Sequence, residues 1–121
     1  MIAGFTVIGD KPQKVLIRAQ GPGVGLPAGT MALPNPNLEV LETFPNTVSL
    51  HQNDDWGDPE NNIAEILLVA ATVNSQGYVA GSTNSAMVVD LQPNRVYSVI
   101  VSGAAGESGV ALVEVFAPTD L

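Results

Sequence analysis

The apolar residues of this 121-residue chain come in short, β-branched runs, and glycine, proline and asparagine separate one run from the next. The 12 glycines and 9 prolines fall between the runs and do not form one low-complexity tract. This spacing is typical of many short strands joined by turns. The strand candidates are residues 2–8, 14–19, 38–44, 47–51, 86–91, 96–102 and 110–116.

One segment has the pattern of a helix, from Pro59 to about Ala71. Asp58 can cap its first turn, and proline is favoured at the first helical position. A 3.6-residue stripe on this segment is formed by Ile63, Ile66, Leu67 and Ala70. Seven strands and one short helix predict an all-β fold, an antiparallel β-sandwich of jelly-roll type, as a single module over residues 1–121. A closed barrel is the alternative.

Turn residues and alternation predict how some strands are arranged. The turn at residues 9–12 predicts a hairpin of the first two strands, and the glycine-rich stretch 103–109 predicts another of the last two. The Pro45-Asn46 pair predicts a turn between the third and fourth strands. Within the third strand, alternation places Leu38, Val40 and Phe44 inward and Glu39 outward.

Charge and composition exclude several classes of partner. Twelve acidic residues against four basic ones give a net charge of −8, which repels nucleic-acid backbones and anionic lipid but suits divalent cations. The chain has no cysteine, so it forms no disulfides and no thiolate metal sites. No run of 18 apolar residues occurs, so we expect no insertion into a membrane. The first nine residues lack the features of a signal peptide and predict a strand.

Three segments carry a resemblance to a known kind of module. They are the opening strands with the Gly-Pro that follows them (2–22), the Asn-Asp-Asp-Trp-Gly phrase (53–57) and the two closing strands (97–116). In this order they resemble a repeat module of large secreted or surface-anchored proteins of environmental bacteria. That module is similar to the bacterial pre-peptidase C-terminal β-sandwich domains. The resemblance implies a surface or matrix role without catalytic residues.

The polar stretch 52–62 is the strongest candidate for a ligand site. It holds four carboxylates within seven residues, and an amide oxygen beside them. Calcium takes six to eight oxygen ligands from flexible loops, so this stretch predicts a calcium site, although it lacks the spacing of an EF-hand. Turn formation and helix capping explain the same residues without a metal. The candidate ligands are Asn53, Asp54, Asp55, Asp58 and Glu60.

Other single residues favour structural roles. Trp56, the only tryptophan, is expected to anchor its loop to the sandwich, and the alternative is an exposed platform that stacks on a sugar. His51 is the only histidine, and the sequence has no Gly-x-Ser-x-Gly motif whose serine it could activate as a general base. Glu39 and Glu42 lie on opposite strand faces by parity, which argues against a glycosidase pair. We therefore predict that the chain is not an enzyme.

Two functions remain open. The first is a structural or self-associating module of an extracellular or cell-surface bacterial protein, whose partners are neighbouring copies that form an oligomer or a fibre. Its self-association residues would be Ile2, Phe5, Val7 and Ile8, an uncharged apolar strand that pairs either within its own sandwich or with a neighbour. The second is a calcium-dependent binding module of a secreted protein, with a glycan as the ligand.

Overall fold

The computed structural model describes residues 2–7, 9–21, 25–53, 55–56, 63–73, 83–103 and 106–118. Seven strands and one helix lie in these ranges. They are β1 (Ile2–Thr6), β2 (Gln13–Gln20), β3 (Pro36–Phe44), β4 (Val48–Asn53), α1 (Ile63–Thr72), β5 (Ser85–Leu91), β6 (Val96–Gly103) and β7 (Leu112–Phe116). The start predicted for the helix, from Pro59 onward, lies outside the described residues, and its end at Thr72 is one residue from the predicted one.

The strands form two antiparallel sheets. The first, sheet A, has the order β1-β6-β3-β4, and the second, sheet B, has the order β5-β2-β7. The all-β sandwich with one short helix is thereby confirmed. The described strands lie in two separate sheets, so the alternative of one closed barrel is wrong.

Both predicted terminal hairpins are wrong. β1 pairs with β6 in sheet A, whereas β2 pairs with β5 and β7 in sheet B. β6 and β7 likewise lie in different sheets. Turn residues show where the chain reverses, but they do not decide whether the next strand pairs with the last one or crosses to the facing sheet. The β3–β4 hairpin is confirmed, and its turn contains the cis peptide Phe44–Pro45.

The main core lies between the two sheets. Alternate residues of β2, β3 and β6 point into it, as period-2 strands with one buried face require. The alternation of β6, with Tyr97, Val99 and Val101 inward, is confirmed. The buried members are Val15, Ile17, Ala19, Leu33, Leu38, Val40, Met87, Leu91, Tyr97, Val99, Val101 and Ala111.

A second cluster lies on the other face of sheet B, where α1 packs across β2 and β5. β2 is therefore covered on both faces, which explains its run of five buried residues, Val15 to Ala19. The predicted helix stripe is partly correct: Ile66 and Ala70 are buried, but Leu67 is exposed and Val69 is buried in its place. The cluster contains Leu16, Trp56, Ile66, Val69, Ala70 and Ala86. No helix in the described ranges has the length and apolarity that crossing a membrane demands.

The inward pattern of β3 holds for Leu38 and Val40 but fails at Phe44. The register with β6 shifts between Glu42 and Phe44, and Phe44 is 59 % exposed. Such an irregularity changes the face on which the following residue lies. Glu42 takes the inward position instead and is buried, while Glu39 is half-buried on the other face. The expectation that the two glutamates lie on opposite faces is confirmed.

Candidate functional site

The acidic stretch is only partly within the described residues. Three of the five predicted calcium ligands, Asp54, Asp58 and Glu60, lie outside the described residues. Asn53 is buried at the end of β4. Its amide nitrogen donates to the carbonyl oxygen of Asp55 at 2.8 Å, and its Oδ1 accepts the backbone N–H of Ala86 at 3.1 Å. The side chain thus ties β4 to β5 and holds the first turn of the loop. Within the described ranges, no three acidic or histidine side chains converge.

The calcium site therefore stays a prediction, and thermal unfolding tests it. If the stretch binds calcium, millimolar calcium raises the melting temperature, because a ligand that binds only the folded state stabilises it. The Asp54→Asn, Asp55→Asn double variant should lose this rise. A melting curve that is the same with calcium and with a chelator would leave only the turn and cap explanation.

Trp56 lies against the helix-side cluster. Its side chain is 6 % exposed and packs with Leu16 and the buried face of α1. Its backbone N–H donates to the carbonyl oxygen of Asn84 at 2.8 Å. The prediction that Trp56 anchors its loop is confirmed, and the exposed sugar-stacking platform is wrong because the ring is buried.

Two further buried polar residues, Asn84 and Ser85, hydrogen-bond to backbone atoms of distant segments. The sequence analysis did not identify them. The Oδ1 of Asn84 accepts the backbone N–H of Gly21 at 2.8 Å, and the hydroxyl of Ser85 donates to the carbonyl oxygen of Pro36. A Cβ on Gly21 would lie 1.9 Å from the carbonyl oxygen of Leu33, so only glycine fits there. Polar groups in these positions are satisfied by backbone atoms, as buried polar groups generally are.

Basic side chains form ion pairs within the described part of the fold. Lys14 contacts Glu65 of α1 at 2.8 Å, and Arg95 contacts the buried Glu42 at 2.7 Å. The hydrogen bond to Glu65 raises the pKa of Lys14 above 10.5. A raised pKa means that this contact favours the folded state at neutral pH and is lost only as the pH rises through that higher value. The hydrogen bond to Glu42 likewise raises the pKa of Arg95.

The ion pair between Arg18 and Glu114 lies on the face of sheet B that α1 covers. The guanidinium of Arg18 contacts the Glu114 carboxylate at 2.9 Å and lies 5.6 Å from the ring centre of Phe116. Arg18 is buried although it stands in the middle of an apolar strand. A charge in such a place is tolerated only when it is paired. These ion pairs join separate elements and stabilise the fold.

The predicted self-association strand pairs within its own sandwich. β1 runs antiparallel to β6, with Ile2 opposite Ile100. Phe5 is half-buried and stacks on Tyr97 with a ring-centre distance of 5.9 Å. Val7 is half-buried, and its carbonyl oxygen accepts the N–H of Asn94 at 2.9 Å. Ile8 lies outside the described residues. β1 is the last strand of sheet A, and no described strand pairs with its outer edge.

Beside β1 the sandwich is open. A groove of about 430 Å³ runs between β1 of sheet A and β7 of sheet B, with β2 at its floor. Val113 and Val115 stand opposite the inward residues Ala19 and Ile17, so β7 turns these valines toward the core. Val115 is nevertheless 42 % exposed, because the groove leaves this side uncovered. The lining residues are Gly4, Phe5, Thr6, Val7, Gln13, Val15, Val115 and Ala117, and none is charged.

Comparison of the chain with protein-family models, with curated proteins and with solved structures finds no match. The resemblance to a repeat module of secreted bacterial proteins therefore stays a prediction. What the structure itself establishes is a β-sandwich in which an apolar groove lies beside the edge strand β1.

Proposed function

We propose that this chain is a non-catalytic structural module of an extracellular or cell-surface bacterial protein, and that it associates with copies of itself through the open side of its sandwich. The open side is defined as the outer edge of β1 together with the groove between β1 and β7. The extracellular location rests on the sequence resemblance alone. The association rests on the groove, which is the observation that carries the proposal.

The groove supports association because it is uncharged and lies beside the outer edge of β1, with which no strand of the described ranges pairs. Phe5 and Val7, two of the predicted self-association residues, line it together with Val115. Exposed apolar surface of this kind marks interaction sites, and an open strand edge recruits further strands. A partner that covers the groove would complete the burial of side chains that already point toward the core.

The non-catalytic part of the proposal is supported by how the buried polar side chains are used. Asn53, Asn84 and Ser85 hydrogen-bond to backbone atoms of other elements. Arg18 and Glu42 each form an ion pair that joins two strands or a strand and its neighbouring loop. Groups that serve in catalysis are instead arranged around a space in which a substrate can lie.

Sedimentation velocity from micromolar to millimolar concentration tests the association. We expect the mean mass of the protein to rise with concentration. Val115→Lys places a charge in the groove, so this variant should remain monomeric. Leu112→Lys is the matched control, since Leu112 is an exposed residue of the same strand that does not line the groove. A parent protein that stays monomeric at millimolar concentration would contradict the proposal.

Salt should strengthen the association. Each copy carries a net charge of −8, so copies repel one another at low ionic strength, while the groove that joins them is uncharged. Raising the salt from about 0.01 M to about 1 M shortens the screening length from roughly 30 Å to roughly 3 Å. We therefore expect larger mean masses at high salt by sedimentation. Weaker association at high salt would indicate a contact held by opposite charges, against the proposal.

A further inference from the structure

We infer that the partner of the β1 edge is the β4 edge of a second copy, so that sheet A continues from one molecule into the next. This inference rests on the proposed self-association and names the surface that meets the open side. Three observations carry it: the directions of the strands, the distribution of charge and the exposed apolar residues of β4.

The two edge strands of sheet A run in opposite directions. Sheet A contains four strands, and each is antiparallel to its neighbour. With an even number of alternating strands, β1 and β4 run in opposite directions. A second copy moved along the sheet without being turned over therefore presents its β4 antiparallel to β1. The two edges can form an ordinary antiparallel ladder, which is the more stable arrangement.

Charge points to the same pair of edges. The chain has 16 charged side chains, yet β1 (Ile2–Thr6) and β4 (Val48–Asn53) contain no Asp, Glu, Lys or Arg. The edge strands of sheet B differ, because β5 carries Asp90 and β7 carries Glu114. Proteins commonly place charges on edge strands to prevent edge-to-edge association. A chain of net charge −8 can bring two copies together most easily where neither surface is charged.

The β4 edge also exposes apolar side chains. Val48 stands opposite the inward residue Glu42 and is exposed, and Leu50 is 43 % exposed. In the joined sheet, Val48 of one copy would lie on the same face as Phe5 and Val7 of the next, beside the groove. The register of β4 with β3 shifts between Val40 and Leu41, so Leu50 stands at a bulge. A bulge limits the regular ladder, and the contact is therefore small and concentration-dependent.

This contact is head to tail and leaves a free β1 and a free β4 at the ends. Such heterologous contacts build open filaments unless the rotation closes a ring. Four strands at a spacing of about 4.8 Å give a rise of roughly 19 Å per molecule. The twist of about 20–25° between neighbouring strands gives a rotation of roughly 80–100° per molecule.

Two single-lysine variants test the inference. Gly4→Lys changes the β1 edge, where a Cβ would make only an ordinary contact, 3.8 Å from the carbonyl oxygen of Tyr97. Leu50→Lys changes the β4 edge. Their matched controls are Gly25→Lys, at an exposed glycine with open space around it, and Leu68→Lys, at an exposed leucine of α1. All four variants change the net charge equally, so a difference among them reports position.

We expect both edge variants to sediment as monomers at concentrations at which the parent and both controls associate. A mixture of the two edge variants should form dimers and stop there, because each retains the edge that the other has lost. Circular dichroism checks that each variant is folded. Electron microscopy of parent filaments should show a rise near the roughly 19 Å that four strands give.

The two failures can be told apart. If the parent associates and Leu50→Lys associates equally well, the β4 edge is not the partner and this inference is overturned, while self-association stands. If Leu50→Lys forms dimers by itself, the contact joins two β1 edges, and the inference is again overturned. If the parent is monomeric at every concentration, the proposed function fails as well.

Discussion

Replacement of Trp56 by alanine should lower the free energy of unfolding by about 3–5 kcal/mol, the usual cost of removing a large aromatic side chain from a core. The ring lies between sheet B and α1, and its packing partners include Leu16 and Val69. Its removal leaves a cavity at the point where the loop after β4 meets the helix. Urea unfolding followed by circular dichroism should show a lower midpoint with the slope unchanged.

Phe44→Ala is the control for this change. Phe44 is also aromatic, but it is exposed at the end of β3, so its replacement should alter the free energy of unfolding by no more than about 0.5 kcal/mol. A second measurement uses the parent protein, in which Trp56 is the only tryptophan. Its fluorescence should resist quenching by iodide. Strong quenching, or a Trp56→Ala variant as stable as the parent, would contradict the packed position.

Replacement of Glu114 by alanine should cost about 3 kcal/mol of stability, the lower part of the range for breaking a buried ion pair. The reason is that Arg18 stays buried beneath Phe116 but loses the carboxylate that contacts its guanidinium at 2.9 Å. We place the effect at the lower end because Glu114 is itself partly exposed. Urea unfolding at neutral pH measures it.

Two variants test whether the loss of stability in Glu114→Ala comes from the buried charge of Arg18 or from the loss of an acidic residue in general. Asp90→Ala removes an exposed carboxylate 4.0 Å from Lys14, and pairs of this kind contribute about 0–1 kcal/mol. Arg18→Met combined with Glu114→Leu removes both charges and should recover most of the stability that Glu114→Ala loses. If the double variant is less stable than Glu114→Ala, the pair itself stabilises the sandwich and the buried charge of Arg18 is not the cause of the loss.

The residues that we expect to govern stability and the residues that we expect to govern association lie in different parts of the sandwich. Trp56 and Glu114 lie on the helix side of sheet B and should govern stability. Gly4, Leu50 and Val115 are exposed on the edges or in the groove and should govern association. Variants of the first kind should change the unfolding midpoint, and variants of the second kind should change the sedimentation behaviour.

The local sequence pattern was sufficient to predict the strands. The seven apolar runs became seven strands, because β-branched runs with turn residues at both ends have few other ways to bury their side chains. Alternation also identified the inward residues of β6 and the opposite placement of Glu39 and Glu42. Residues 2–8 were predicted as an apolar strand that contains no charge, and β1 (Ile2–Thr6), an edge strand of sheet A, lies within this range.

Sequence alone therefore determined the class of fold, the strands and the anchoring role of Trp56, since these depend on hydrophobic period and on the high mean burial of large aromatics. Apart from the β3–β4 hairpin, only the tertiary structure decided which strands pair. β1 and β2 follow one another in sequence yet lie in different sheets, because pairing depends on the burial of whole sheet faces and not on the turn between two strands. The same reason applies to the ion pair of Arg18 and to the groove. Glu114 is 96 residues from Arg18 in sequence, and the groove lies between two sheets, so no local sequence pattern predicts either of them.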